Sequence, residues 1–215
     1  MKSVVIVCGA LLVGCGHSVS PAPDTNTCTS GSGCGLFVPW IVNPDIPSTL
    51  TNGTTIDTAT FRISSLRVIG DAGASDPNTT QQSFAVAWDG THAPVPVAFS
   101  TAPSGLYSKV SLAIDGALIN DSYLITGHAQ SNGMTYPYTV HDAFMLSVDL
   151  SANAQLDPGG ATSIPIKIDL AACIGAVDWN LVHLDNGVLN LDTDDDWIPV
   201  FRQLLIASFS IDGDR

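Results

Sequence analysis

The sequence predicts an all-β domain: an antiparallel β-sandwich with one or two short helices, a closed β-barrel being the alternative. Three observations predict it. All 20 acidic residues are Asp and none is Glu; Asp favours caps and turns, whereas Glu is among the residues that build exposed helix faces. Apolar and polar residues alternate with a period of two over 106–115, 144–150 and 164–170, the pattern of half-buried strands. Asp-Gly, Asn-Gly and Pro-rich breaks separate the apolar runs, as when about seven or more short strands are joined by tight turns.

Taken in order, Phe37-Val38-Pro39-Trp40-Ile41-Val42 is the first apolar segment, and Asn52-Gly53 marks a turn. Runs 60–64 and 66–69 alternate in opposite phase, so the slip at Ser64-Ser65 predicts a β-bulge. Segment 83–88 reads as a strand ending at Asp89-Gly90. In the next run Leu106, Ser108, Val110, Leu112 and Ile114 share one face, with Lys109 on the other. Segments 123–128 and 134–140 flank Ser131-Asn132-Gly133, a hairpin signal, and Pro137 assigns the second to an edge or a bulge. Phe144, Leu146, Val148 and Leu150, then Ile164, Ile166, Ile168 and Leu170, supply two more inward faces. Asp169 is placed to cap a helix over 170–177, and Asp194 or Asp195 a second over 197–204. The second helix carries Trp197, Val200, Phe201 and Leu204 on one face, with Pro199 tolerated in its first turn. Residues 205–211 alternate as a closing strand.

Ahead of this lies a different kind of segment. Met1-Lys2 precedes an apolar run from Val4 that ends in Leu12-Val13-Gly14-Cys15. The run is shorter than the roughly 20 residues needed to cross a bilayer. It resembles a bacterial lipoprotein signal peptide with its lipobox, in which the peptidase cuts before the cysteine and the cysteine carries the lipids. That resemblance implies a signal peptide over 1–14, a lipid anchor on Cys15, a Ser-, Pro-, Gly- and Thr-rich tether over 15–35 and a single β-sandwich domain over 36–215. Its implied partner is the lipid bilayer and its implied location the bacterial cell envelope. Gly16 follows Cys15 where an inner-membrane retention signal carries Asp, so the resemblance points to the outer membrane. Between about 59 and 179, the pieces Phe61–Val68, Ala102-Pro103-Ser104-Gly105-Leu106-Tyr107 leading into Val110–Asp115, and Ser163–Leu170 resemble a transthyretin-like domain of unknown function found in bacterial lipoproteins. This second resemblance implies an immunoglobulin/transthyretin-like sandwich and brings no catalytic residues with it.

A formal charge of −13 argues against nucleic acid as a partner and is compatible with cations. Once 1–14 is removed, Cys15, Cys28, Cys34 and Cys173 remain. The loop Cys28-Thr-Ser-Gly-Ser-Gly-Cys34 is placed to close as a disulfide in an oxidising compartment. The rival is a bond from Cys28 or Cys34 to Cys173, which lies in an apolar setting. In Asp192-Thr193-Asp194-Asp195-Asp196, the carboxylates of Asp192, Asp194 and Asp196 are candidate oxygen ligands for Ca²⁺. The segment is not an EF-hand, because Trp197 stands at the Gly position and Gln203 at that of the bidentate Glu. The competing reading is a solvated acidic turn that complements the dipole of the following helix. The five histidines show no HxH, HExxH or HxxxH spacing; Met134, Met145 and His141 would suit a soft copper site only if the fold brought them together. No G-x-S-x-G, phosphate loop or G-x-G-x-x-G is present, so no catalytic residue is assigned and the chain is not read as an enzyme. Trp40, Trp88, Trp179 and Trp197 are core residues or sugar-stacking platforms. The expected function is a non-catalytic binding or structural module at the envelope, with a glycan or another envelope protein as ligand. A metal-binding protein and an envelope hydrolase are the alternatives.

Overall fold

The computed structural model describes residues 34–70, 78–116 and 121–212. The expected signal peptide, Cys15, Cys28 and nearly all of the expected tether lie outside the described residues. Strands make up 57% of the structure and helices 10%, and the sheets do not close into a barrel. The architecture is therefore the sandwich and not the barrel.

The chain opens with β1 (Gly35–Val38) and β2 (Trp40–Asn43). Pro39, which has no N–H to donate, separates them. β3 (Ser48–Thr49) and β4 (Thr55–Ile56) form a small hairpin, in which Gly53 takes φ +82° and Asn52 Oδ1 accepts from Thr54 N. β5 (Thr58–Ile69) and β6 (Asn78–Trp88) are the longest pair. β7 (Val97–Phe99), β8 (Gly105–Ile114), β9 (Tyr123–Ser131), β10 (Met134–Asp142) and β11 (Leu146–Leu156) follow. β12 (Ala161–Ser163) and β13 (Ile166–Asp169) lead into helix α1 (Leu170–Gly175). The hairpin of β14 (His183–Asp185) and β15 (Val188–Leu191), helix α2 (Ile198–Ala207) and β16 (Phe209–Ile211) complete the fold.

One layer orders its strands β11-β8-β5-β9-β10-β15-β14, with β6 also paired to β5. β5 serves two neighbours in sequence: β9 takes Thr58–Phe61 and β8 takes Ile63–Ile69. The branch falls at the expected bulge, where the register slips between Ile63 and Ser65 and Ser64 Oγ donates to Ala113 O. The facing layer pairs β1 with β12 and β2 with β13, both in parallel. β7 pairs with β1 and β16 with β13. The ladder runs on past Pro39 and Pro165, since Ile164 N donates to Phe37 O and Ile166 N to Pro39 O. Aromatic edges pack the core: the Phe61 ring meets Trp88 of its own layer at 6.3 Å and Phe209 of the facing layer at 5.9 Å, both nearly perpendicular.

The β9–β10 hairpin turns at Asn132 (φ +51°) and Gly133 (φ +79°), as expected. Pro137 sits opposite His128 in unbroken register, and β15 pairs only with Tyr138–Val140, so nothing on that side asks Pro137 for an N–H. α1 is capped as expected, with Asp169 Oδ1 accepting from Ala172 N. Four expectations need correction. Residues 205–207 are helix, and only 209–211 form the closing strand. The inward face of α2 is Ile198, Phe201 and Leu205, leaving Val200 exposed, because packing against the core selects a face rotated from the expected one. In β8, Tyr107 is buried and Leu106 exposed; the phase reverses where β11 slips register between Ser151 and Ala154. Phe144 precedes its strand and is 58% exposed rather than inward.

Candidate functional site

The acidic segment is assembled around a cleft that a second element completes. Asn186 and Gly187 both take positive φ and turn β14 back onto β15. Pairing sets His183 opposite Asn190, and period-two alternation puts Asp185 and Asp192 on the same face. The result is a cavity of about 240 Å³ lined by His183, Asp185, Asn190, Asp192, Asp194 and Asp195. Asp196, expected among the ligands, is not part of this lining. Two of the carboxylates are occupied by backbone amides: Asp192 Oδ1 accepts from Asp194 N at 2.9 Å, and Asp195 Oδ1 from Trp197 N at 2.8 Å. Asp195 thus holds the turn ahead of α2, but contrary to expectation neither it nor Asp194 caps the helix: the N-cap position is Trp197 and no side chain caps it. Among the described residues, no three His, Cys, Asp or Glu side chains form a group suited to a metal ion. His183 and Asp185 were missed as site residues, although Asn186-Gly187 was a legible turn.

Behind this loop lies a buried, hydrogen-bonded polar cluster. Asp142, at the end of β10, is fully buried. Its Oδ1 accepts from Phe144 N (3.0 Å), Thr193 Oγ1 (3.1 Å) and Arg202 Nη2 (3.0 Å). Its Oδ2 accepts from Arg202 Nε and Tyr123 OH. Burial pushes the Asp142 carboxyl up, but the hydrogen bonds from Arg202 and Phe144, with the Arg202 charge and Thr193, outweigh it and hold the group below its ordinary value. Burial, followed by the Asp142 charge, drives Tyr123 upward. The Arg202 guanidinium also covers the Phe144 ring, 4.4 Å from its centroid. The cluster ties β9, β10, α2 and the acidic loop together, and each oxygen of the carboxylate is satisfied.

The remaining candidates separate. Cys34 is disulfide-bonded, whereas Cys173 is a free thiol buried in α1. The alternative in which Cys173 staples the tether to the domain is therefore not what forms. Cys28 lies outside the described residues. Burial pushes the Cys173 thiol up to about 11. Three histidines each meet an aspartate through Nδ1: His92–Asp89 at 3.2 Å, His128–Asp57 at 3.0 Å and His141–Asp121 at 3.1 Å. Met134 and His141 sit at opposite ends of β10, about 23 Å apart at the rise of a strand, so one copper ion cannot take both. Trp179 stacks on Tyr138 at 4.3 Å inside the core, and Trp197 is half-buried at the start of α2. No family model, curated protein or solved structure matches this chain.

Proposed function

We propose that the chain is an exported lipoprotein that displays a β-sandwich binding module at the bacterial envelope, anchored through lipid on Cys15. The observation that carries this is Leu12-Val13-Gly14-Cys15 at the end of the apolar run. The disulfide on Cys34 supports it, because such bonds persist in oxidising compartments and are rare in the cytosol. So does the spacing: the first strand starts at Gly35, about 20 residues beyond Cys15. A single acyl chain anchors only marginally, so the reading requires at least two on Cys15. Fractionation of expressing cells tests it. The wild-type chain should sediment with membranes and Cys15→Ser should appear in the soluble fraction; a soluble wild-type chain would end the proposal.

A second reading, a cation-binding module, is favoured by the acidic cleft, where Asp185, Asp192, Asp194 and Asp195 surround one cavity with His183 in a chain of charge −13. A metal bound only by the folded state stabilises it by about 2.7 kcal/mol at a hundred times the dissociation constant. Ca²⁺ should then raise the melting temperature, a chelator should reverse the rise, and Asp192→Asn with Asp194→Asn should abolish it. A melting curve indifferent to millimolar Ca²⁺ removes this reading and leaves a solvated acidic turn ahead of α2.

A further inference from the structure

β6 borders the larger layer and has one neighbour. It pairs with β5 from Asn78 to Trp88 and, among the described residues, with no other strand or loop backbone. Gln82 O accepts from the side chain of its own neighbour, Gln81 Nε2, at 3.3 Å. In an antiparallel ladder alternate residues turn both N–H and C=O away from the partner, so about five residues of this strand present backbone groups outward in a row. Seven of its eleven residues are exposed. Its sequence, Asn78-Thr-Thr-Gln-Gln-Ser-Phe-Ala-Val-Ala-Trp88, holds no charge and no proline, the usual guards of an edge against pairing with another chain. Its irregularity is Ser83, at φ +54°. The opposite border is guarded. β11 is equally long, but it carries Asp149 paired to Lys109, slips register between Ser151 and Ala154, and packs against β12, β16 and α2. β14, at the end of the same layer, offers three residues.

We propose that β6 is a homodimerisation edge: two copies of this chain pair their β6 strands antiparallel, joining the larger layers into one sheet across a two-fold axis. Charge selects the occupant. Each copy carries −13, which opposes association in general, yet β6 is uncharged over its whole length. Self-pairing there sets no like charges opposite each other, and antiparallel pairing keeps the two copies of the bordering Asp89 at opposite ends. The side chains suit their own copies. Thr and Gln both donate and accept across a strand pair, while the exposed Ala85 and Ala87 and the half-buried Phe84 are covered. A pairing of one edge with itself is isologous and closes at two copies. The inference needs neither the lipid anchor nor the cation site.

The test is sedimentation of the purified full chain in density-matched detergent. A single strand pair is a small interface, so monomer should give way to dimer between about 1 µM and 1 mM. Thr80→Lys with Gln82→Lys, both at exposed positions, should weaken the dimer about tenfold by setting lysines opposite lysines. The melting temperature of the dilute variant should not change. The same charge added to β11, as Ser147→Lys with Ser151→Lys at exposed positions, should leave the dimer intact. Oxidative crosslinking reads the register. In an antiparallel pair of identical strands one residue lies opposite itself, about 4.5–5.5 Å away between Cα atoms, within reach of a disulfide. Gln81→Cys and its counterparts at each position from 79 to 85, made singly, should give a disulfide dimer at one position and little at its neighbours. A chain that stays monomeric throughout that range, a dimer indifferent to the β6 lysines or equally sensitive to those on β11, species larger than a dimer, or equal crosslinking at every position would each overturn the inference.

Discussion

Replacing Arg202 with Met isolates the energetics of the buried cluster. Met keeps the length and apolar bulk of the side chain while removing the guanidinium that donates twice to Asp142. The carboxylate left behind is fully buried and keeps only Phe144 N, Thr193 Oγ1 and Tyr123 OH as donors. Breaking a buried pair from one side costs about 3–5 kcal/mol. The Arg202 side chain is 19% exposed, so the lower end, about 3 kcal/mol, is expected in urea or guanidinium titrations at neutral pH. The contact with Phe144 is within that figure, at about 0.5–1 kcal/mol. The sign of the pH dependence follows. In the wild type Asp142 titrates below its ordinary value, so its contribution is present above about pH 3.9 and fades as pH falls through the lower folded value. In Arg202→Met burial acts without the ion pair, the carboxyl titrates higher, and protonation relieves the buried charge. The deficit against wild type should therefore shrink between about pH 7 and pH 5. Asp142→Leu combined with Arg202→Met should cost less than Arg202→Met alone, because no orphan charge remains. A deficit under about 1 kcal/mol, or one that grows on acidification, would refute the reasoning.

Three further outcomes are expected. Gly127→Ala should cost at least about 3 kcal/mol in chemical denaturation, since its Cβ would lie 2.1 Å from Thr55 O and 2.8 Å from Tyr138 Cε1; a near-native midpoint would show that β4 is free to move away. Leu112→Asp should abolish the folded circular-dichroism signal, because Leu112 is 2% exposed. Lys109→Asp, which exchanges an exposed ion pair to Asp149 at 2.9 Å for an exposed like-charge contact, should cost about 1 kcal/mol or less, and equal damage from both would mean that the two faces of β8 are misassigned. Cys173 should resist maleimide at neutral pH until the chain is denatured, as its burial and raised pKa require; rapid labelling of native protein would contradict the packing of α1 against α2.

Much of this fold was legible because it is local. The bulge at Ser64 showed as a change of phase between two apolar runs, the Asn132-Gly133 turn as a dipeptide, and the α1 cap as Asp169 ahead of Leu170, Cys173 and Ile174. The end of α2 misled because Leu205-Ile206-Ala207 carries apolar residues at positions that satisfy either period, and packing of Leu205 with Phe201 and Ile198 decides for helix. β14 gave no alternation, because His183, Leu184 and Asp185 are all exposed on an edge strand. Non-local sites were out of reach. Arg202 meets Asp142 across 60 positions, and His183 joins the acidic loop only through the register of β14 with β15. Trp40 and Trp88 reach one core from separate layers.

Intact-mass and peptide mass spectrometry of the chain extracted from the membrane fraction tests the central claim most directly. The account predicts a mature protein that begins at Cys15, with a diacylglyceryl mass on that residue and nothing of 1–14 retained. A membrane-extracted chain that still carries Met1, or one that begins at an unmodified Cys15, would contradict it.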